Sequence, residues 1–226
     1  MTKKYLTMIR WPLGCLIFFL AACNSATPYR DLVVSEKDSV AHDAMVSRAF
    51  DQINQCRQQI HTGDLVTRTG NDFTSESLRT LNRRNKTYSH CGIASIEHDS
   101  IFIYHALGGE WNPDQKIRRD PLILFAEPYS NKRLGVFRFD ITDSLKKNII
   151  ETVHSYYNRG VMFDMDFDLK TDDHMYCAEF VFKCYARGSH GLLSFPHSFI
   201  QAFEFIGVDD LFLHPKCGVV EEIVYK

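Results

Sequence analysis

Two apolar runs, His90 to Ile96 and Ile101 to Ala106, are separated only by Glu97-His98-Asp99-Ser100, and this stretch constrains the fold more than any other. Strand-like runs bracketing a short polar turn make an antiparallel hairpin, and the turn sets the register. With Ile96 paired to Ile101, Gly92 lies opposite His105. Side chains alternate along a strand, so His90 and His105 share a face as diagonal neighbours roughly 7 Å apart. A second fixed point is Cys177 to Arg187, which reads as a helix with Phe180, Val181, Cys184 and Tyr185 inward and Gly188 as its stop.

The remaining elements follow from periodicity. Ser39 to Ile60 carries Val46, Phe50, Ile53 and Ile60 among charged residues and is expected as an amphipathic helix, broken by Gly63-Asp64. Leu65 to Arg68 is expected as a strand, and Asn71 to Lys86 as a polar loop whose Arg79, Arg83 and Arg84 face solvent. Leu122 to Ala126 and Leu134 to Phe139 read as strands. Asp143 or Ser144 caps a helix with the stripe Leu145, Ile149, Val153 and Tyr156, ended by Gly160. A short helix near Ser198 to Phe205 and a strand from Val219 to Tyr225 complete the chain. Of 226 residues 45% are hydrophobic, enough for one domain to bury its own core, and a net charge of -2 gives no footprint for nucleic acid.

The N-terminus differs in kind. Lys3, Lys4 and Arg10 precede an apolar stretch, Trp11 to Ala22, too short to span a bilayer at about 20 residues and laid out as a signal peptide. Leu20-Ala21-Ala22-Cys23 resembles the bacterial lipobox, whose cysteine is acylated and heads the mature chain. The resemblance implies a signal peptide over 1–22, a tether over 23–38, and a domain over 39–226, anchored to the membrane through Cys23 in the cell envelope. Asn24 resembles the residue that sorts enteric lipoproteins to the outer membrane, facing the periplasm.

Cys15 leaves with the signal, and Cys56, Cys91, Cys177, Cys184 and Cys217 remain, an odd count that suggests up to two disulfides and one thiol kept for chemistry. Cys177 is placed for that role: a helix N-terminus lowers a thiol's pKa, and the thiolate is the nucleophile. A base must take its proton and a third group must orient the base, which His90 and His105 supply.

The strings Tyr88-Ser89-His90-Cys91-Gly92-Ile93, Tyr104-His105-Ala106 and Tyr176-Cys177-Ala178-Glu179-Phe180-Val181, with Gly63-Asp64-Leu65 ahead of them, resemble the YaeF/YiiX family of permuted papain-like amidases. That family is related to NlpC-type cell-wall hydrolases and to lecithin:retinol acyltransferase. The order His before Cys marks the permutation. The resemblance implies an α+β, circularly permuted papain-like fold with an antiparallel sheet packed on the nucleophile helix. It also implies Cys177 as nucleophile, His90 as base and His105 as its orienting partner, at a position where YiiX-like members often carry Glu. Glu179, Tyr176 and Tyr88 are expected near the site. The expected reaction is acyl transfer from an amide, a cell-wall peptide or fatty amide, to Cys177, then hydrolysis. An acyltransferase or lipid hydrolase of the lecithin:retinol type and a non-catalytic envelope binding module are the alternatives.

Asp164, Asp166 and Asp168 mimic the start of a calcium loop, but Leu169 and Met175 stand where such a loop needs Gly and Glu, so an extended half-buried segment is expected instead. His214 and Cys217 lack a second pair at zinc spacing, so no metal and no cofactor is expected. His154, His174, His190 and His197 read as surface or structural histidines.

Overall fold

The computed structural model describes residues 36–108, 112 and 114–225. The expected signal peptide, Cys23 and most of the expected tether lie outside them. Helix α1, Glu36–Cys56, begins three residues before Ser39 and runs into a 3-10 turn, Arg57–Gln59.

A six-stranded sheet organises the domain. Its strands are β1 (Leu65–Gly70), β2 (His90–Glu97), β3 (Ser100–His105), β4 (Arg118–Pro121), β5 (Asn131–Phe139) and β8 (Cys217–Val224), in the order β4-β3-β2-β1-β5-β8, with every pairing antiparallel. The hairpin has the expected register, Ile96 opposite Ile101. Its loop is the two residues His98 and Asp99, both at positive φ (47° and 64°), as a turn matching strand twist requires.

Alternation along the strands divides the core. Leu65, Cys91, Ile93, Tyr104 and Phe137 face helices α4 (Asp143–Arg159) and α5 (Cys177–Gly188). Val66, Ala94, Ile103, Leu134 and Val136 face Ala49 and Ile53 of α1 and the short helix α3 (Leu122–Phe125). Helix α4 has the expected buried stripe Ile149, Val153 and Tyr156, but Thr142 caps it, its hydroxyl accepting from the Leu145 N–H; Gly160 ends it at φ 69°, a left-handed conformation that a Cβ would strain.

Four expectations on local structure are corrected. Residues 71–86 are not all loop: Asp72 accepts from the Ser75 N–H at 2.9 Å and starts helix α2, Phe73–Leu81. Leu122 to Ala126 is not a strand, because Pro121 leads into a single helical turn in which Ala126 N–H donates to Leu122 O at 2.9 Å. Ser198 to Phe205 is not a helix but a hairpin, β6 (Ser198–Ile200) with β7 (Phe203–Phe205), turned at Gln201 with φ 55°, and followed by a short helix, α6 (Val208–Phe212). The aspartate segment is not extended: both Asp164 carboxylate oxygens accept backbone N–H bonds, from Asp166 and Asp168 at 2.8 Å each, folding it into a turn that holds Phe167 at φ 56°.

Candidate active site

The first residue of β2 and the first residue of α5 line one cleft, bringing His90 and Cys177 together at the end of the sheet. Sheet register does the rest. His105 pairs with Arg118, so Asp120 is its diagonal neighbour, just as His105 is the diagonal neighbour of His90. The result is a line of hydrogen bonds across three strands. His90 Nε2 and His105 Nδ1 are 2.8 Å apart, and His105 Nε2 is 3.0 Å from Asp120 Oδ2. Arg118 holds that same carboxylate oxygen at 2.8 Å. Gly92 leaves the room this needs, since a Cβ there would lie 2.7 Å from the Tyr104 carbonyl oxygen and 3.0 Å from the His105 Cβ.

The chemistry of the donors orients every ring. An ionised Asp120 only accepts, so His105 carries its proton on Nε2 and accepts at Nδ1 from His90 Nε2–H. His90 Nδ1 is then left bare, the nitrogen available to a thiol proton. Burial holds His90 well below the usual histidine pKa, with Arg68, His105 and Arg118 adding to the effect. Burial likewise lowers His105 to about 4, against the opposing hydrogen bond to Asp120. Burial acts to raise Asp120, but the bonds from His105 and Arg118 outweigh it and keep the carboxyl below its ordinary value. Both rings are therefore neutral at neutral pH.

Cys177 meets a different environment. Its pKa is lowered first by a hydrogen bond from the Cys91 thiol, then, against the effect of burial, by the N–H groups of Cys91 and Ala178 and by the charge of Arg68. Arg68 stands opposite His90 in the β1–β2 pairing; its guanidinium donates to Phe125 O at 2.9 Å and lies 4.9 Å above the Phe125 ring. Phe125 in turn packs against both histidines, at centroid separations of 5.8 and 5.1 Å. Helix α3, expected as a strand, is thus the wall behind the relay.

The other expected site residues divide. Tyr176 lines the cleft, and its hydroxyl is pinned to the backbone of Ile206, donating to the carbonyl at 3.3 Å and accepting from the N–H at 2.8 Å. Glu179 lies beneath the cleft rather than in its wall: fully buried, it accepts from the Tyr176 N–H at 3.3 Å and pairs with Lys183 at 2.7 Å. Tyr88 is turned away, its ring packed on Phe137 and Phe212 and its hydroxyl donating to Glu222 at 2.6 Å. The cysteines of the described residues form no disulfide; all five are free thiols. His214 is buried between Phe139 and Phe195, His154 and His174 are half-buried, and His190 and His197 are exposed.

Asp120, Arg118, Arg68 and Asn82 were not expected. Asn82 ends α2 and ties two cleft walls together, donating to Tyr88 O at 2.7 Å and accepting from Val208 N–H at 3.0 Å. Repeating the diagonal step from His105 would have found Asp120, had the partner strand been known. The cleft encloses about 580 Å³, part of it open to solvent, and its walls are largely apolar: Leu78 and Leu81 of α2, Phe163 and Phe167 ahead of Cys177, Phe203 and Phe205 of the β6–β7 hairpin.

Among the described residues no three His, Cys, Asp or Glu side chains gather as a metal site. The fold resembles the crystal structure of YiiX from Escherichia coli O157:H7, described as a metalloprotein, with a TM-score of 0.60 at 18% identity over 74% of this chain and 99% of that one. No curated protein matches the chain. The family model for permuted papain-like amidases, YaeF/YiiX, C92, matches residues 59–192, which include His90, His105, Asp120 and Cys177. The chain belongs to that family and has its kind of function, a cysteine hydrolase of the amidase type with a permuted papain-like fold.

Proposed function

We propose that the domain hydrolyses an amide with an apolar acyl part through a thioester on Cys177. His90 Nδ1 takes the thiol proton, and the sulfur attacks the carbonyl carbon. The imidazolium then returns the proton to the leaving nitrogen, so the amine departs and the acyl group stays on sulfur. Water, deprotonated by the same nitrogen, cleaves the thioester and restores the thiol. His105 fixes the tautomer of His90, and Asp120 fixes that of His105. Backbone N–H groups at the start of α5 would receive the oxyanion.

The observation that carries this reading is the shared cleft: a thiol at a helix start and a histidine backed by a second histidine and a carboxylate. Aromatic and aliphatic walls favour a fatty amide over a polar cell-wall peptide. Incubating the purified chain with acyl amides, muropeptides and phospholipids, with intact-mass detection of the acyl-enzyme, tests it. An adduct on Cys177 from the acyl amide, with free acid and amine released, is expected. Quantitative transfer to an added amine or alcohol instead of water would make the enzyme an acyltransferase, and no adduct from any of them would leave a binding module.

The tether belongs to the same proposal: lipid on Cys23 would hold the domain at an envelope membrane. Cys23→Ser is expected to release the protein, or leave it unprocessed. Equal retention of both forms after a carbonate wash would count against the anchor.

A further inference from the structure

Cys91 takes no part in the histidine relay, yet it belongs to the layer on which the nucleophile packs. It follows His90 on β2, and alternation turns its side chain to the α4 and α5 face, where it is fully buried in the apolar layer against which Cys177 packs, close enough for its thiol to draw the Cys177 pKa down. Cys177 opens into the cleft, whereas Cys91 is absent from the cleft walls. A small oxidant therefore meets Cys177 first and reaches Cys91 only through it. The two thiols differ as an attacking and a resolving thiol should: Cys177 is drawn toward thiolate, and burial keeps Cys91 protonated. The other cysteines are worse placed, Cys56 on the opposite sheet face and Cys184 about two turns further along α5.

We propose that Cys91 is the resolving thiol of Cys177, so that a peroxide closes a reversible Cys91–Cys177 disulfide that shuts the enzyme off. The regulatory half of this statement rests on Cys177 being the nucleophile; the disulfide does not. The Cys177 thiolate attacks a peroxide oxygen: the S–O bond forms, the O–O bond breaks, and hydroxide leaves with the thiol proton as water. The Cys91 sulfur then attacks the Cys177 sulfur, forming the S–S bond while the S–O bond breaks and the hydroxyl leaves with the Cys91 proton as a second water. Two thiols have lost two electrons to one peroxide, and a dithiol reductant returns them. Both side chains lie in the layer where α5 packs on β2, so a bond of about 2.05 Å is reached by side-chain rotation within that layer.

Trypsin gives a clean reading, because Cys91 is the sole cysteine of Thr87–Lys116 and Cys177 that of Thr171–Lys183. The purified chain is treated with hydrogen peroxide at a few equivalents, alkylated under denaturing conditions without reductant, and mapped. The expected product is those two peptides joined, with iodoacetamide labelling of Cys177 lost and then restored by dithiothreitol. In Cys91→Ser, dithiothreitol should restore about tenfold less labelling, because Cys177 continues to its sulfinic acid. Recovery of wild-type Cys177 as sulfinic acid beside an alkylated Cys91, or joined to another cysteine, overturns the proposal. If Cys91→Ser fails to fold, the wild-type map alone decides. A joined pair in a protein that forms no acyl-enzyme supports the pairing and removes the amidase reading. Amide turnover that persists with the disulfide closed overturns the switch.

Discussion

The proposed base, His90, and the proposed nucleophile, Cys177, are held by two networks of opposite character. Behind His90 lies a line of neutral rings ending in a paired carboxylate, buried against Phe125. Beneath Cys177 lies a clamp of charges. Glu179 pairs with Lys183, Lys183 also donates to Thr171 O and lies 3.0 Å from Asp172, and Arg187 binds both Asp172 oxygens at 2.9 and 2.7 Å. The difference matches the tasks. A base must change its protonation at each turnover, so its support passes tautomers along hydrogen bonds without fixing a charge on the ring. A nucleophile on a helix must only stay in place, and ion pairs tie the 171–172 segment to α5 for that purpose.

The largest effect should come from breaking the relay at its front. His90→Ala removes the proton acceptor and is expected to lower amide turnover by about 10²- to 10⁴-fold and to slow iodoacetamide labelling of Cys177 near pH 7. Equal labelling in variant and wild type, with circular dichroism unchanged, would dissolve the Cys177–His90 pair. Asp120→Asn comes next. Its amide can present N–H to His105 Nε2 and so favour the wrong tautomer, and kcat/KM is expected to fall about 10- to 100-fold with little change in stability. A loss no larger than that of a surface carboxylate variant such as Asp143→Asn would reduce Asp120 to a structural ion pair.

The contrast between the networks also explains what was legible beforehand. His90, His105 and Cys177 lie in segments whose structure is set locally, by a hairpin with its turn and by a helix with its apolar stripe, so the histidine pair followed from alternation, while joining Cys177 to it rested on the resemblance of the surrounding strings. Asp120 depends on the pairing of β3 with β4 across a connection that nothing local registers. Leu122 to Phe125 reads as strand by its apolar run and becomes helical because Pro121 precedes it and the sheet ends there. The same limit applied to Ser198–Phe205, where a buried Ser198 hydroxyl donates to Asp210 of α6 at 2.8 Å, a tertiary contact that no helical period announces. Cysteine parity misled because three of the five thiols serve as apolar core residues: Cys56, Cys91 and Cys184 are fully buried, and each is held above its ordinary pKa by burial.

A smaller effect tests the clamp. Burial raises Glu179 to about 7 against the pull of Lys183. A carboxyl that binds its proton more tightly when folded stabilises the fold at low pH, and that contribution is lost as pH rises from about 4.5 to 7. Glu179→Gln keeps an acceptor for the Tyr176 N–H but has no proton to lose. Its denaturation midpoint should therefore gain on wild type between pH 4.5 and 7, while turnover at pH 6 changes far less than in Asp120→Asn. A midpoint difference that is flat across this window would mean that Glu179 titrates normally.

The smallest effect lies at Cys91, which belongs to neither network. Its thiol is the first cause of the lowered Cys177 pKa, so Cys91→Ala removes a hydrogen bond to the thiolate and leaves the N–H donors of residues 91 and 178 in place. The Cys177 midpoint should rise while staying below that of an ordinary thiol. Because thiolate is the reacting species, labelling by iodoacetamide should be slower in Cys91→Ala near pH 7 and converge on the wild-type rate above both midpoints. A variant that merely loosens packing would shift the labelling rate by the same factor at every pH. Parallel rate profiles in place of converging ones would show that Cys91 only fills space beneath Cys177, and that the helix start and Arg68 set its thiolate character without it.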